Sequence, residues 1–167
     1  MTTTRIHRVL QGLGSIAFPG VFDTLSAKIC EQVGFPMAFV SGYSVAATTI
    51  GEPDMGLLTQ TEMIERARRI CMSMAIPIIV DADTGYGNPL NVFRTVHELI
   101  GAGAAGCFLE DQVWPKKCGH MRGKRVVDRH HVGCRRPLDV VSAVQRSDRR
   151  RAEVCPGRAF WRGMKNY

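Results

Sequence analysis

Pro77-Ile78-Ile79-Val80-Asp81-Ala82-Asp83-Thr84-Gly85-Tyr86-Gly87-Asn88-Pro89 is the stretch from which this chain can be read outward. Its first four residues form a continuous apolar run, branched at Ile78, Ile79 and Val80, as in a parallel strand covered on both faces. Two aspartates and a glycine turn follow. Asn88 and Pro89 then make a cap and first-turn pair for a helix whose apolar stripe is Val92, Phe93, Val96, Leu99 and Ile100, ending at Gly101 and Gly103. Strand, polar strand end, loop and helix together make one βα unit.

The same grammar extends in both directions. Residues 106–109 form a further apolar run that ends in Glu110-Asp111-Gln112. Upstream, residues 15–19 predict a first strand, and Asp23 or Thr24 predicts the cap of a helix with Leu25, Ile29 and Val33 on its buried face, stopped by Gly34. Residues 37–41 predict a second strand, followed by a long glycine- and threonine-bearing connection. Thr59 and Glu62 form a capping box for a helix carrying Met63, Ile64, Ala67, Ile70, Cys71 and Met74 at spacings of three and four. Four strands, each ending in polar residues before a loop and a helix, predict an α/β fold, either a barrel or a doubly wound sheet.

After Val127 the pattern changes. Residues 1–127 hold 12 Lys and Arg against 11 Asp and Glu, whereas residues 128–167 hold 10 against 4, so most of the formal charge of +7 sits in the tail. Arg135-Arg136, Arg149-Arg150-Arg151 and Cys155-Pro156-Gly157 carry no period, and only residues 138–144 are apolar. The expected organisation is a partial barrel domain over 1–127 and an aberrant or poorly ordered basic tail over 128–167, such as truncation with a frameshift would leave. A nearly neutral body with a basic end does not suit a nucleic-acid-binding fold, which gathers its cations on a folded face. A non-catalytic fragment binding a partner or nucleic acid through the tail is the remaining reading of that charge.

No apolar run approaches the roughly 20 residues a membrane helix needs, and no apolar segment follows the basic residues at the N-terminus as in a signal peptide. A cytoplasmic location is expected. The cysteines at 30, 71, 107, 118, 134 and 155 show no zinc or disulfide spacing. Cys30, Cys71 and Cys107 read as small core residues, while Cys118 lies in the polar loop Lys116-Lys117-Cys118-Gly119-His120, whose cations would favour a thiolate. That loop reads either as a proton donor or nucleophile site or as a solvated basic loop. Asp81 and Asp83 are two apart, which on a strand would set both carboxylates on one side. They read either as ligands for Mg²⁺ or as caps of a turn.

In combination these motifs are more specific. The run from Val80 to Asn88, then Glu110-Asp111-Gln112, then Lys116 to His120 with Gly123-Lys124, follow the order of motifs in the isocitrate lyase / phosphoenolpyruvate mutase superfamily, which residues 10–127 resemble. Phe18-Pro19-Gly20, Phe22-Asp23 and Ser41-Gly42-Tyr43-Ser44 resemble its first two strand ends. The loop with Cys118 is similar to that of the lyases, such as the methylisocitrate, dimethylmalate and isocitrate lyases. The phosphonomutases, including carboxyvinyl-carboxyphosphonate phosphorylmutase-like members, usually lack the cysteine.

The resemblance implies the first four βα units of a (β/α)₈ TIM-type barrel and a Mg²⁺-dependent lyase. Its reaction would be retro-aldol cleavage of a 2-hydroxy di- or tricarboxylate to a 2-oxo acid and a carboxylate. Asp81 and Asp83 would hold Mg²⁺, with Asp54 and Glu110 in its outer shell. Ser41, Gly42, Tyr43 and Gly119 would bind the substrate, and Cys118 would give the proton, assisted by Lys116 and His120. The alternative within the superfamily is a phosphonomutase or an oxaloacetate-processing enzyme. A whole barrel needs about 250 residues, so this chain is expected to lack later strands and to be weak or inactive alone. Full-length relatives are expected to form homo-oligomers.

Overall fold

The computed structural model describes residues 5–13 and 15–128, together with the backbone of 142–145. Ten elements follow one another: α1 (Arg5–Leu13), β1 (Gly20–Val21), α2 (Thr24–Val33), β2 (Ala38–Val40), α3 (Gly42–Thr49), α4 (Gln60–Ser73), β3 (Ile78–Asp81), α5 (Pro89–Gly101), β4 (Gly106–Glu110) and β5 (Ser142–Gln145). The strands form one parallel sheet in the order β1-β2-β3-β4-β5. Sequential parallel neighbours joined by helices are the arrangement of a βα barrel wall rather than of a doubly wound sheet, whose order reverses at a switch point.

Alternation along the strands sorts side chains onto two faces. Ala38, Val40, Ile78, Val80, Cys107 and Leu109 face the helices and join Ala27, Met63, Ala67, Ile70, Val92 and Val96 in the larger core. The opposite face carries Met37 and Ile79, packed with Ile6 of α1 and with Phe18, Phe39 and Phe108. Phe39 stands edge-on between Phe18, at a centroid distance of 6.4 Å, and Phe108, at 5.4 Å. Phe108 and Glu110 share this face, as do Ile79 and Asp81. The carboxylates therefore stand above an aromatic floor at the C-terminal ends of the strands.

Several expectations change in detail. The first strand is Gly20–Val21 rather than residues 15–19, because the ladder to β2 pairs Gly20 with Phe39 and Val21 with Val40. On α2 it is Ala27 and Cys30 that are buried, while Leu25, Ile29 and Val33 are exposed. A ten-residue helix offers more than one apolar stripe, and the small residues allow the closer approach to the sheet. The connection after β2 contains α3, capped by the Ser41 hydroxyl, and α1 was not anticipated.

The expectation that no strand follows residue 127 is corrected by Ser142–Gln145, whose backbone pairs with β4 from Cys107↔Ser142 to Glu110↔Gln145. An open β4 edge presents unpaired N–H and C=O groups, and Ser142–Gln145 supplies the backbone that pairs with them. The expectation of a poorly ordered tail otherwise falls on residues outside those described. Among the described residues no helix is long and apolar enough to cross a membrane.

One polar tie holds the wall from outside. Glu31 near the end of α2 accepts from the Ala75 N–H at 2.7 Å and the Ile76 N–H at 3.2 Å, in the turn leading into β3. The Ala75 N–H does most to hold the Glu31 carboxyl below its usual range, with Lys28 contributing. A lowered folded-state value means that the stabilisation is complete above the unfolded value and is lost as pH falls through the folded one. Glu31→Gln should therefore lower the melting temperature at pH 7, and the gap from wild type should close as the pH is taken below about 4. A gap that stays constant down to pH 3, measured by circular dichroism melts, would assign the loss to geometry rather than charge.

Candidate active site

The site is assembled from strand ends and two loops. Asp81 is the last residue of β3, and its Oδ1 accepts from the Asp83 N–H at 3.0 Å while its Oδ2 accepts from the Gly42 N–H at 3.3 Å. Asp83 lies past the strand with φ 47, so a left-handed turn, not strand alternation, brings the two carboxylates together. Tyr86 has φ 62 in the same turn. The turn is anchored from α5: the buried Thr95 hydroxyl donates towards the Gly85 carbonyl at 3.1 Å and the Asn91 carbonyl at 2.9 Å.

Lys116 enters this group from the other side. Its side chain is 0% exposed, and its ammonium pairs with Asp54 Oδ1 at 2.6 Å and with Asp83 Oδ1. The alternative reading of the loop at 116–120 as a solvated basic loop does not fit its first half, because Lys116 and Cys118 are both buried, Cys118 at 7% exposure. The loops that carry Asp54 and Lys116 meet where Gly56, at φ 77, lies under the Trp114 ring. A Cβ at Gly56 would come 2.4 Å from that ring, so only glycine admits the contact. Tyr43 and His120 approach edge-on at 6.4 Å, bringing the start of α3 against the end of the loop. His120 and Gly119 are exposed.

Electrostatics follow from this crowding. Burial first, and then the neighbouring Asp83, push the Asp81 carboxyl up to about 7. Burial also raises Asp83 and Glu110, against the pull of Lys116. The Lys116 ammonium would be pushed down by burial, but Asp83, Asp81 and Glu110 outweigh that and hold it above its usual value. Burial and the two aspartates hold the Tyr86 hydroxyl well above its usual value. One ammonium set among four carboxylates leaves a net negative, oxygen-lined group, which suits a hard divalent cation. Among the described residues no three acidic, His or Cys groups converge as a complete cage.

Of the residues singled out from sequence, Asp54, Asp81, Asp83, Glu110 and Lys116 are thus linked by contact or by field. Ser41 and Gly42 adjoin Asp81, Cys118 is buried two residues beyond Lys116, and Tyr43 and His120 form the rim. Gly42 differs from its expected role, since its N–H already serves Asp81. Sequence reasoning assigned no role to Gln112, whose amide donates to Glu110 Oε2 at 2.8 Å, nor to Thr95. Gln112 stood in the Glu110-Asp111-Gln112 motif with no role attached, and no pattern in the sequence marks Thr95, which acts through its contacts in the folded turn.

Comparison with known proteins bears on the same residues. The pattern of the Phosphoenolpyruvate phosphomutase family matches residues 6–151. This chain belongs to that family. It is 59% identical over 125 residues to a chloroplastic carboxyvinyl-carboxyphosphonate phosphorylmutase of Arabidopsis thaliana, covering 74% of this chain and 37% of the relative. It is 44% identical over 131 residues to the 2,3-dimethylmalate lyase of Eubacterium barkeri, covering 78% and 45%. Among solved structures, an oxaloacetate acetylhydrolase bound to 3,3-difluorooxalacetate superposes with a TM-score of 0.74 at 37% identity, over 78% of this chain and 45% of that one. A phosphonopyruvate hydrolase bound to oxalate and Mg²⁺ superposes with a TM-score of 0.68 at 29% identity, over 81% and 46%. The chain thus spans less than half the length of these family members.

Gly42 offers a test of the cation site that leaves every carboxylate in place. A Cβ there would lie 2.7 Å from Asp81 Oδ2, so Gly42→Ala must turn the carboxylate or part α3 from β3. Its affinity for Mn²⁺, followed by electron paramagnetic resonance, should fall about 10–100-fold, the range seen when a ligand's support is lost. Equal affinity in a variant of unchanged helix content would remove Asp81 from the cation's shell.

Proposed function

We propose that this chain carries the metal-and-acid portion of a carbon–carbon lyase site that cleaves a 2-hydroxy di- or tricarboxylate to a 2-oxo acid and a second carboxylate. The observation that supports this reading most directly is the Cys118 loop folded down, through Lys116, onto the Asp54 and Asp83 carboxylates. It sets a thiol-bearing loop against an acidic cluster at the strand ends, where barrel enzymes hold their substrates.

Asp81 and Asp83 are the residues that would hold Mg²⁺, with Asp54 and Glu110 reaching it through water. When bound, the cation supplies a Lewis acid that stabilises negative charge developing on the 2-oxo acid portion. Ser41, through its hydroxyl, and the N–H of Tyr43 in the first turn of α3 orient a substrate carboxylate. Burial of Lys116 and Cys118 excludes water from the reacting end. As the carbon–carbon bond breaks, the 2-hydroxyl gives its proton to one of the surrounding carboxylates and becomes the 2-oxo group, and the electron pair stays on the released carbon. The Cys118 thiol protonates that carbon, while Lys116 and His120 balance the charge on the departing carboxylate.

The second reading is an oxaloacetate-processing or phosphonate-handling activity on the same carboxylates. It is favoured by the likeness to the phosphorylmutase and to the oxaloacetate acetylhydrolase. Cys118 weighs against a phosphonomutase, because phosphoryl migration calls for no proton donor at that place.

Both readings meet in one assay, 2-oxo acid release from a panel of 2-hydroxy di- and tricarboxylates in Mg²⁺. The chain should release product, and Cys118→Ser should lower turnover about 10²–10⁴-fold, the usual range for a positioned acid, with Mn²⁺ affinity unchanged. Asp83→Ala should lower affinity and turnover together. Full turnover in Cys118→Ser would move the oxaloacetate-processing reading ahead. No release by a folded, Mn²⁺-binding chain would overturn catalysis by this chain on its own.

A further inference from the structure

The loop that carries Lys116 and Cys118 is closed at its base by backbone. The Val113 N–H donates to the Arg125 carbonyl and the Val127 N–H to the Asp111 carbonyl, each at 2.8 Å, with Gln112 opposite Val126 in an antiparallel bridge. That closure fixes the ends of the loop and leaves its middle free to swing. Besides the Lys116 ion pairs and the Lys124 Nζ bond to the Gly119 carbonyl at 2.6 Å, the middle is held by the Gln112 side chain, which is only 5% exposed. Its Nε2 donates to Glu110 Oε2 at 2.8 Å and to the Lys117 carbonyl at 2.9 Å, and its Oε1 accepts from the Lys117 N–H at 3.0 Å. Both donors and one acceptor site of the amide are in use.

We propose that Gln112 is a positioning residue that clamps the Lys117 peptide to the Glu110 carboxylate and thereby sets where Lys116 and Cys118 stand over the acidic cluster. A peptide held at both its N–H and its C=O cannot turn, so the residues on either side inherit its orientation. Lys116 is thereby aimed at Asp54 and Asp83, and Cys118 is kept beneath the surface. The chemistry requires an amide. A carboxylate at 112 could accept from Lys117 but could not donate, and it would face Glu110 with like charge. Asparagine would keep both functions but fall one methylene short. This role deepens the lyase reading, because it assigns the placement of the proton donor to a residue that touches neither substrate nor metal.

The test uses the full chain and needs no turnover. Alkylation by iodoacetamide, mapped residue by residue by mass spectrometry, measures how often the loop opens to expose Cys118. Cys107, at 1% exposure in β4, reports opening of the whole domain. Gln112→Glu should raise the Cys118 rate at least about tenfold, as expected for losing a buried hydrogen bond to a charged group, and leave Cys107 unchanged. The exchange Glu110→Gln with Gln112→Glu restores an amide–carboxylate pair between the two positions but not the donor to the Lys117 carbonyl, so the Cys118 rate should stay well above wild type. In the turnover assay, Gln112→Glu should lower kcat with little change in KM.

An unaltered Cys118 rate in Gln112→Glu would overturn the clamp. So would Cys107 rising in step with Cys118, or a double exchange that brings the Cys118 rate fully back to wild type. Should Gln112→Glu fail to fold, Gln112→Asn carries the same expected result. The labelling rate is independent of catalysis, so an inactive chain would overturn the lyase reading and leave the clamp standing. A wild-type rate in the variant would do the reverse.

Discussion

Four carboxylates brought to one end of a parallel sheet must be compensated, and among the described residues the ammonium buried with them is that of Lys116. Asp54, Asp81, Asp83 and Glu110 cannot all stay ionised in a poorly solvated pocket without a cation, because each raises the proton affinity of the others. Lys116 answers part of that demand by pairing with Asp54 and Asp83. It is delivered from a loop after β4, so the folding of that loop and the electrostatics of the site are one problem. The negative charge that Lys116 leaves uncompensated is the demand that the proposed Mg²⁺ would meet. A buried pair of this kind contributes little net stability, since desolvation offsets attraction. Its value is in fixing which loop conformation is the low-energy one.

The wall beneath the site is built so that this charge has rigid support. β2, β3 and β4 alternate between a helix-facing core and an inner face floored by Phe18, Phe39 and Phe108. Asp81 and Glu110 continue the inner face past the last apolar layer, so their direction is set by strand pairing rather than by loop conformation. Asp83 and Asp54 lie on loops instead, and each is fixed by something else: a left-handed turn anchored by Thr95, and the stacking of Gly56 under Trp114. Two of the carboxylates are thus directed by strands, and two stand on loops that other contacts must hold in place.

The second to fourth strands were legible because continuous branched runs such as residues 77–80 have few alternatives, whereas the first lies at Gly20–Val21 and not at 15–19. The helix starts were legible because Asp23, Thr59 and Asn88 cap as their residue types predict. The buried side of α2 was not, since its larger apolar residues face outward and the sheet selected Ala27 and Cys30. α3 was missed because Gly42 and its neighbours carry weak helix propensity, and Ser41 with the packing of Val45 and Ala46 decides the matter. β5 was missed because a short run amid arginines becomes a strand only when an open edge stands beside it.

The sequence by itself determined the βα order, the family and the residue types of the site, because those depend on local pattern and on motifs a few residues long. Only the tertiary structure decided that Lys116 is buried between Asp54 and Asp83, that Gln112 clamps the Cys118 loop, and that Gly42 spends its N–H on Asp81. These are contacts between segments up to 62 residues apart, as for Lys116 and Asp54. They exist because burying charge forces each polar group to find a partner wherever the fold places one.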